Sequence, residues 1–222
     1  MIVAPNLVAA AEPALQLKPG DHVTYIGNTL ADRMQHHGWL ETYIQALYPD
    51  LNLTFRDLGF PGDELKTRNR SENFGSPDQW LTKVESDVVF CFFGYNEAFR
   101  GDDGLAKFRA DLAETIDGML AQQYNGKSAP RLVFFSPIAH ENLHDPNLPD
   151  GTAHNRDLAK YTAAMAEVCN AKEIPFVDLF TPTLALYAAA EKPLTMNGVH
   201  LLEHGNRALA GVITKSLFDK DH

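Results

Sequence analysis

Residues 88–97 of the sequence read VVFCFFGYNE, an uninterrupted apolar run followed by a glycine and then Tyr, Asn and Glu. A run this apolar is typical of a strand that is buried on both faces of a parallel sheet. Shorter apolar runs predict four more strands, at residues 22–26, 51–58, 131–135 and 176–179. Amphipathic stretches separate these runs. We therefore predict an α/β fold, a three-layer α/β/α sandwich around a mainly parallel five-stranded sheet.

Apolar residues at helical spacing define the segments between the strands. The predicted helices cover residues 34–48, 77–84, 105–124, 154–171, 182–190 and 203–218. The chain has 222 residues, 45% hydrophobic and 22% charged, which predicts a single globular domain at residues 19–222. We expect residues 1–18 to form a flexible segment. Its apolar part, residues 2–11, lacks a basic start but is compatible with the remnant of an export signal, which favours a periplasmic or secreted protein.

The net charge and the hydropathy of the chain indicate which classes of partner it is not expected to bind. The chain has 19 Lys and Arg against 29 Asp and Glu, a formal charge of -10 that repels a phosphate backbone. No apolar run reaches the roughly 18 residues of a membrane-spanning helix. Cys91 and Cys169 lack the spacing of a redox or zinc motif and are expected to be buried thiols. Nucleic acid and a membrane span are therefore disfavoured.

Glycine-bearing polar clusters follow the first three predicted strands, at residues 27–29, 59–63 and 94–97. A fourth cluster, Asn197 to His200, precedes the last predicted helix. Ligands of parallel α/β sheets bind beyond the carboxyl ends of the strands. We therefore expect all four clusters to meet at one edge of the sheet, where a histidine would join a hydroxyl and two amides.

The order and spacing of these clusters resemble the SGNH, or GDSL-like, hydrolase family over residues 25–204. That family has Gly-Asp-Ser after the first strand, a glycine after the second, Gly-x-Asn-Asp after the third and Asp-x-x-His near the end. By position, the resemblance implies Thr29 as nucleophile, His200 as its base and Asn197 as the orienting residue. It also implies an oxyanion hole of the Thr29 amide, the Gly62 amide and the Asn96 side chain. It implies neither a metal nor a cofactor.

Four positions depart from the family pattern: Thr29, Asn28, Glu97 and Asn197 replace Ser, Asp, Asp and Asp. A threonine hydroxyl can attack a carbonyl, but its methyl group stiffens χ1 and crowds the approach. Asn197 carries no charge that stabilises an imidazolium, and the equivalent change costs about 10⁴-fold in serine proteases. Thr29 and Asn28 are also typical helix caps, a structural role that competes with the catalytic one.

Other residues near the sheet edge are candidates for support. The missing acid has four candidate substitutes that the sequence does not rank: Asp32, Asp63, Glu97 and Glu141. Asn28 is a further supporting residue. Four arginines close to the same loops, Arg33, Arg68, Arg70 and Arg100, are candidates to bind an anionic group such as a uronate or sulfate, or are solvated surface charges.

The resemblance implies an ester hydrolase that removes an acyl group, such as acetyl, from a carbohydrate or small ester; the partner is then a small-molecule or glycan ester. Transfer of the acyl group to another acceptor would use the same site. The altered triad also fits a weak or inactive carbohydrate-binding or scaffold domain on the same fold. A metal site at His140, Glu141 and His144 is disfavoured, because the prolines at 137, 146 and 149 argue against a helix that would align the two histidines.

Overall fold

A computed structural model describes residues 14–219 and contains one five-stranded parallel sheet. The strands are β1 (His22–Gly27), β2 (Thr54–Asp57), β3 (Val88–Phe92), β4 (Arg131–Phe135) and β5 (Phe176–Val177). The helices are α1 (Thr29–Met34), α2 (Trp39–Leu47), α3 (Pro77–Lys83), α4 (Gly101–Leu120), α5 (Thr152–Ala171), α6 (Phe180–Ala189) and α7 (Glu203–Phe218). The strand order is β2-β1-β3-β4-β5, and every pairing is parallel.

The central strand β3 is buried along its whole length and shows why the sheet needs helices on both faces. Val88, Phe90 and Phe92 pack in one apolar cluster with residues of α1, α2 and α7. Val89 and Cys91 point to the opposite face and pack with residues of α3, α4 and α5. The predicted three-layer α/β/α sandwich is therefore confirmed.

The predicted helix at 34–48 is wrong at its amino end, because the structure has two helices there. Helix α1 begins directly after β1, and Gly38 separates it from α2. Gly38 has φ 62°, a left-handed conformation that glycine adopts without steric cost. Residues 35–38 are Gln-His-His-Gly and carry no apolar side chain, a polar stretch short enough to resemble an exposed turn of one continuous helix.

Packed structure begins before the predicted boundary at residue 19. Leu15 and Leu17 are buried in the apolar cluster that contains α7, and the Leu15 amide donates to the Leu217 carbonyl oxygen at 3.4 Å. Residues 1–13, which include most of the predicted flexible and export segments, lie outside the described residues. Among the helices within 14–219, none is both long and apolar enough to cross a membrane. Cys91 and Cys169 are buried and unpaired.

Candidate active site

A cavity of about 550 Å³ opens at the carboxyl edge of the sheet. Its walls come from the loops that follow β1, β3 and β4 and from the loop that precedes α7. We call it the Thr29 cavity. The predicted site residues that line it are Asn28, Thr29, Arg33, Asn96, Asn197 and His200. The fold thus brings together residues that are up to 172 positions apart in the sequence, 200 minus 28.

Thr29 is the first residue of α1, and its side chain is not used to cap the helix. Asn28 has that role, because its Oδ1 accepts the Leu30 amide at 3.0 Å. Gly27 allows the turn: a Cβ there would collide with the Phe92 carbonyl oxygen. Within residues 14–219 the Thr29 hydroxyl has no hydrogen-bond partner, so it is available to a ligand in the cavity.

His200 is held by Asn197, three residues earlier in the same loop. The Asn197 Oδ1 accepts the backbone amides of His200 and Val199 at 2.9 and 3.2 Å. The ring Nδ1 of His200 lies 2.9 Å from Asn197 Nδ2 and 3.1 Å from Oδ1. Asn197 therefore pairs with either neutral tautomer. Only the tautomer with the proton on Nδ1 leaves Nε2 able to accept a proton.

The surroundings of His200 favour its neutral form. Burial lowers the pKa of His200 below its ordinary value of 6.5, and the positive charge of Arg33 lowers that pKa further. In the part of the chain from 14 to 219, no carboxylate lies within ion-pair distance of the ring. The ring is thus suited to act as a base, but the imidazolium that a proton transfer creates lacks a protein counter-ion.

Glu141 supports the histidine loop without contacting His200. Its buried carboxylate accepts the amides of Leu194 and Thr195 at 2.7–3.1 Å and the Thr195 hydroxyl at 2.6 Å. The Thr195 hydroxyl in turn accepts the Gly198 amide at 2.9 Å. Glu141 is therefore a positioning residue for the loop, and not the substitute acid that the sequence left open.

The other candidate acids also lie outside the Thr29 cavity. Asp63 is 1% exposed and is ion-paired with arginines. Glu97 is buried and accepts the amides of Leu65 and Gly94, both at 2.9 Å, which joins the loops after β2 and β3. Asp32 lies on α1, where its carboxylate accepts the Gln35 side chain at 3.3 Å. Each of these contacts is structural, so none of the three orients His200.

Of the four predicted anion-binding arginines, only Arg33 lines the Thr29 cavity. Arg68 and Arg70 bind Asp63 at 3.0 and 2.7 Å and line a different cavity. Arg100 is half exposed and pairs with Glu64 at 2.7 Å. These three arginines are thus paired with carboxylates of the protein and lie outside the Thr29 cavity, which leaves Arg33 as the anion-binding candidate at that cavity.

The predicted oxyanion donors are only partly together. Asn96 lines the Thr29 cavity, and its Nδ2 donates to the Asp63 carbonyl oxygen at 3.2 Å, which leaves a second N–H on that nitrogen. Gly62 does not line the cavity. Its φ of +83° marks it as a turn residue of the loop after β2. The structure thus places Thr29 and Asn96 at the cavity and leaves Gly62 outside it.

An aromatic wall was not predicted as part of this site. The Tyr95 hydroxyl lies 3.2 Å from His140 Nδ1, and the other ring nitrogen of His140 lies 3.2 Å from the Pro149 carbonyl oxygen. His154 stacks on Phe99 with ring centroids 3.9 Å apart. All five residues line the cavity. The sequence signal for this wall is that its residues follow β3 and β4. From the sequence alone, His140 is considered only as a metal ligand. Between residues 14 and 219 no group of three or more His, Cys, Asp or Glu side chains is placed to hold a metal ion.

Comparisons with known proteins agree with this geometry. A sequence model of the GDSL-like lipase/acylhydrolase family matches residues 20–208. A catalytic mutant of an acetylxylan esterase from Geobacillus stearothermophilus is 14% identical, with a TM-score of 0.70 over 91% of this chain and 96% of its own. A gut microbial diltiazem-metabolizing enzyme is 16% identical, with a TM-score of 0.70 over 94% of this chain and 49% of its own.

A third similar structure is an α/β hydrolase enzyme from the metagenome of Lake Arreo, Spain. It is 15% identical, with a TM-score of 0.65 over 90% of this chain and 96% of its own. At these identities the similar structures support the fold. A comparison with curated proteins gives no match. The family match spans most of the chain and agrees with the order of the strand-end clusters, so the protein belongs to the GDSL-like lipase/acylhydrolase family and is a carboxylic ester hydrolase of that type.

Proposed function

We propose that the protein removes an acetyl group from a carbohydrate, with Thr29 as nucleophile and His200 as general base. The observation that carries the proposal is that Thr29 and His200 line the same cavity, with the Asn197 side chain beside Nδ1 of the ring. The carbohydrate follows from the structurally similar Geobacillus protein, an acetylxylan esterase.

The reaction proceeds in two steps that return the protein to its starting state. His200 Nε2 takes the proton of the Thr29 hydroxyl as its oxygen attacks the acetyl carbonyl, and the sugar alcohol leaves with that proton. Water then gives a proton to His200 and attacks the acetyl-threonine ester. His200 returns that proton to the Thr29 oxygen as it leaves, so acetic acid is released and the Thr29 hydroxyl and the neutral imidazole are restored.

The developing oxyanion is stabilised by two donors at the cavity. One is the second N–H of Asn96 Nδ2, and the other is the backbone amide of Thr29. Preorganised donors of this kind contribute about 3–4 kcal/mol each to transition-state stabilisation. Because Gly62 lies outside the cavity, this site has one donor fewer than the resemblance implied.

A second candidate function is carbohydrate binding with little or no turnover. It is favoured by the absence, within residues 14–219, of a carboxylate beside His200 that would stabilise the imidazolium. Both candidates use the same cavity, so product formation distinguishes them.

The test is an assay of acetate release from para-nitrophenyl acetate and from O-acetylated xylooligosaccharides. We expect turnover by the wild-type protein and a loss of about 10³-fold or more in kcat in His200→Ala. His36→Ala is the matched control, because His36 is exposed after the end of α1 and does not line the cavity. Equal rates in wild type and His200→Ala would contradict the proposal, and oligosaccharide binding without acetate release would establish the binding function instead.

A further inference from the structure

Arg33 stands apart from the other arginines near the carboxyl edge of the sheet. Arg33 lines the Thr29 cavity, and within residues 14–219 its side chain forms no ion pair and no hydrogen bond. Its Nε is buried without a partner. A buried donor that lacks a partner is costly, since it has lost its hydration. This cost is removed if a ligand supplies the acceptor.

Arg33 lies on the same helix as Thr29, whose hydroxyl is the proposed nucleophile. Thr29 and Arg33 are four residues apart on α1, so they lie on the same face of the helix, about 5–6 Å apart at their Cβ atoms. The other cavity residue with a full charge at neutral pH is Asp150, which is exposed and accepts the Thr152 amide at 2.9 Å. An anion at Arg33 therefore sits about one helical turn from the ester that Thr29 attacks.

We propose that the Thr29 cavity selects acetyl esters whose alcohol portion carries an anionic group, a carboxylate or a sulfate, that pairs with Arg33. This inference rests on the proposed hydrolysis and deepens it by naming the substrate class, an acidic sugar. A guanidinium presents a planar fork of donors that matches both kinds of oxyanion. The acidic chain as a whole repels such a substrate, so the attraction is specific to this arginine.

The same contact has a second consequence, for the chemistry at His200. The charge of Arg33 opposes the formation of an imidazolium at His200, and residues 14–219 place no acid beside the ring. The ionisable side chains that share the cavity with His200 are Arg33, Tyr95, His140, Asp150 and His154. A substrate anion on Arg33 offsets its charge and so stabilises the imidazolium of the transition state. The substrate then supplies the negative charge that Asn197 lacks.

The experiment compares two esters of similar shape and different charge, para-acetoxybenzoate and para-acetoxybenzamide, with each rate divided by the rate of uncatalysed hydrolysis of the same ester. We expect the wild-type protein to hydrolyse the anionic ester with a kcat/KM about 10- to 100-fold higher, the range of a charge-assisted hydrogen bond. Arg33→Gln should reduce this ratio to about 1, because the anionic ester then loses its charged partner. Arg100→Gln is the matched control and should keep the wild-type ratio, because Arg100 is paired with Glu64 outside the cavity.

Two further sets of substrates identify the anionic group that Arg33 binds and the kind of molecule that carries it. Para-acetoxybenzenesulfonate tests a sulfate-like group, and O-acetylated galacturonate oligosaccharides, with free acids or as methyl esters, test a uronate. Equal kcat/KM values for charged and neutral esters in wild type would overturn the inference while leaving the proposed hydrolysis intact. If no ester is hydrolysed, the proposed function fails, and the affinities of para-hydroxybenzoate and para-hydroxybenzamide for wild type and Arg33→Gln still decide whether Arg33 binds anions.

Discussion

Arginine lines two separate cavities of this molecule, and the two differ in what surrounds the guanidinium groups. In the Thr29 cavity, Arg33 has no acidic partner among residues 14–219. A second cavity of about 440 Å³, which we call the Asp63 cavity, is lined by Arg68 and Arg70. There the buried Asp63 carboxylate accepts hydrogen bonds from both arginines at 2.7–3.0 Å.

The difference shows that the contacts of an arginine within the protein determine whether its charge is available to a ligand. Arg70 also stacks over Phe60, with 3.8 Å from its guanidinium carbon to the ring centroid, and Arg68 lies over Phe93 at 4.6 Å. These contacts immobilise both side chains and use their charge to hold the loop after β2. Arg33 makes no comparable contact within the described chain, so its charge remains available to a ligand.

The largest expected effect comes from removing the reacting group of the Thr29 cavity. Thr29→Ala should lower kcat by about 10³-fold or more, because the hydroxyl forms the acetyl-enzyme. Thr29→Ser should retain turnover, since it keeps the hydroxyl and removes the methyl group that restricts χ1. Acetate release measures both, with the exposed Thr42→Ala as control. Wild-type kcat in Thr29→Ala would mean that His200 activates water directly.

The next largest effect is on stability and belongs to the Asp63 cavity. Asp63→Asn should lower the free energy of unfolding by about 3 kcal/mol, because it leaves two largely buried guanidinium groups without a counter-charge. Glu64→Gln is the matched control: it breaks a pair with the half-exposed Arg100 and should cost less than about 1 kcal/mol. Urea unfolding measures both. Equal losses would remove the distinction between paired and surface arginines on which the comparison rests.

A smaller effect is expected from adding a charge to the Thr29 cavity. Asn197→Asp should raise kcat/KM about 10-fold, because a carboxylate accepts the same two backbone amides and also the His200 Nδ1–H. The change fixes the productive tautomer and stabilises the imidazolium.

The pH profile separates this explanation from a general gain in stability. In wild type the pKa of His200 is lowered, so the base form persists below pH 6.5 and activity should fall only at lower pH. The new carboxylate raises that pKa, so the acid limb of kcat/KM should move to higher pH. An unchanged limb would contradict the role of Asn197.

Local sequence patterns predicted most of the fold. β4 and α7 have the predicted limits, because a buried apolar strand and a long amphipathic helix each carry a clear periodicity. The break at Gly38 was missed because the polar stretch at residues 35–38 is short enough to be an exposed turn of one helix. Periodicity indicates which residues face the core, but it does not reveal the left-handed residue that changes the direction of the chain.

The site was predictable only as far as the strand-end rule reaches. That rule places Thr29, Asn96 and His200 at one cavity, as the structure has them, while their catalytic roles remain a proposal. The strand-end rule does not predict which carboxylate contacts which arginine or histidine. Asp63 and Glu141 lie beside the predicted loops, but each is committed to contacts that only the folded chain reveals. Sequence position therefore identifies a neighbourhood, and long-range contacts decide which charges remain available.

The smallest expected effect concerns Asp57, a second acid that lines the Asp63 cavity. Burial raises the pKa of Asp57 from 3.8 to about 7, although its Oδ1 accepts the Gly59 amide at 2.7 Å. Between about pH 4 and 7 the folded protein therefore holds a proton that the unfolded chain releases. The free energy of unfolding should fall as pH rises through this range, and above pH 7 the folded state bears the cost of a buried charge.

Asp57→Asn removes that cost and keeps the acceptor for Gly59. We expect the variant to gain about 1 kcal/mol at pH 8 and almost nothing at pH 4, since the remaining solvent exposure screens the charge. Urea unfolding at the two pH values measures the difference, with the exposed Glu72→Gln as control. If the gain is the same at both pH values, Asp57 does not titrate in this range.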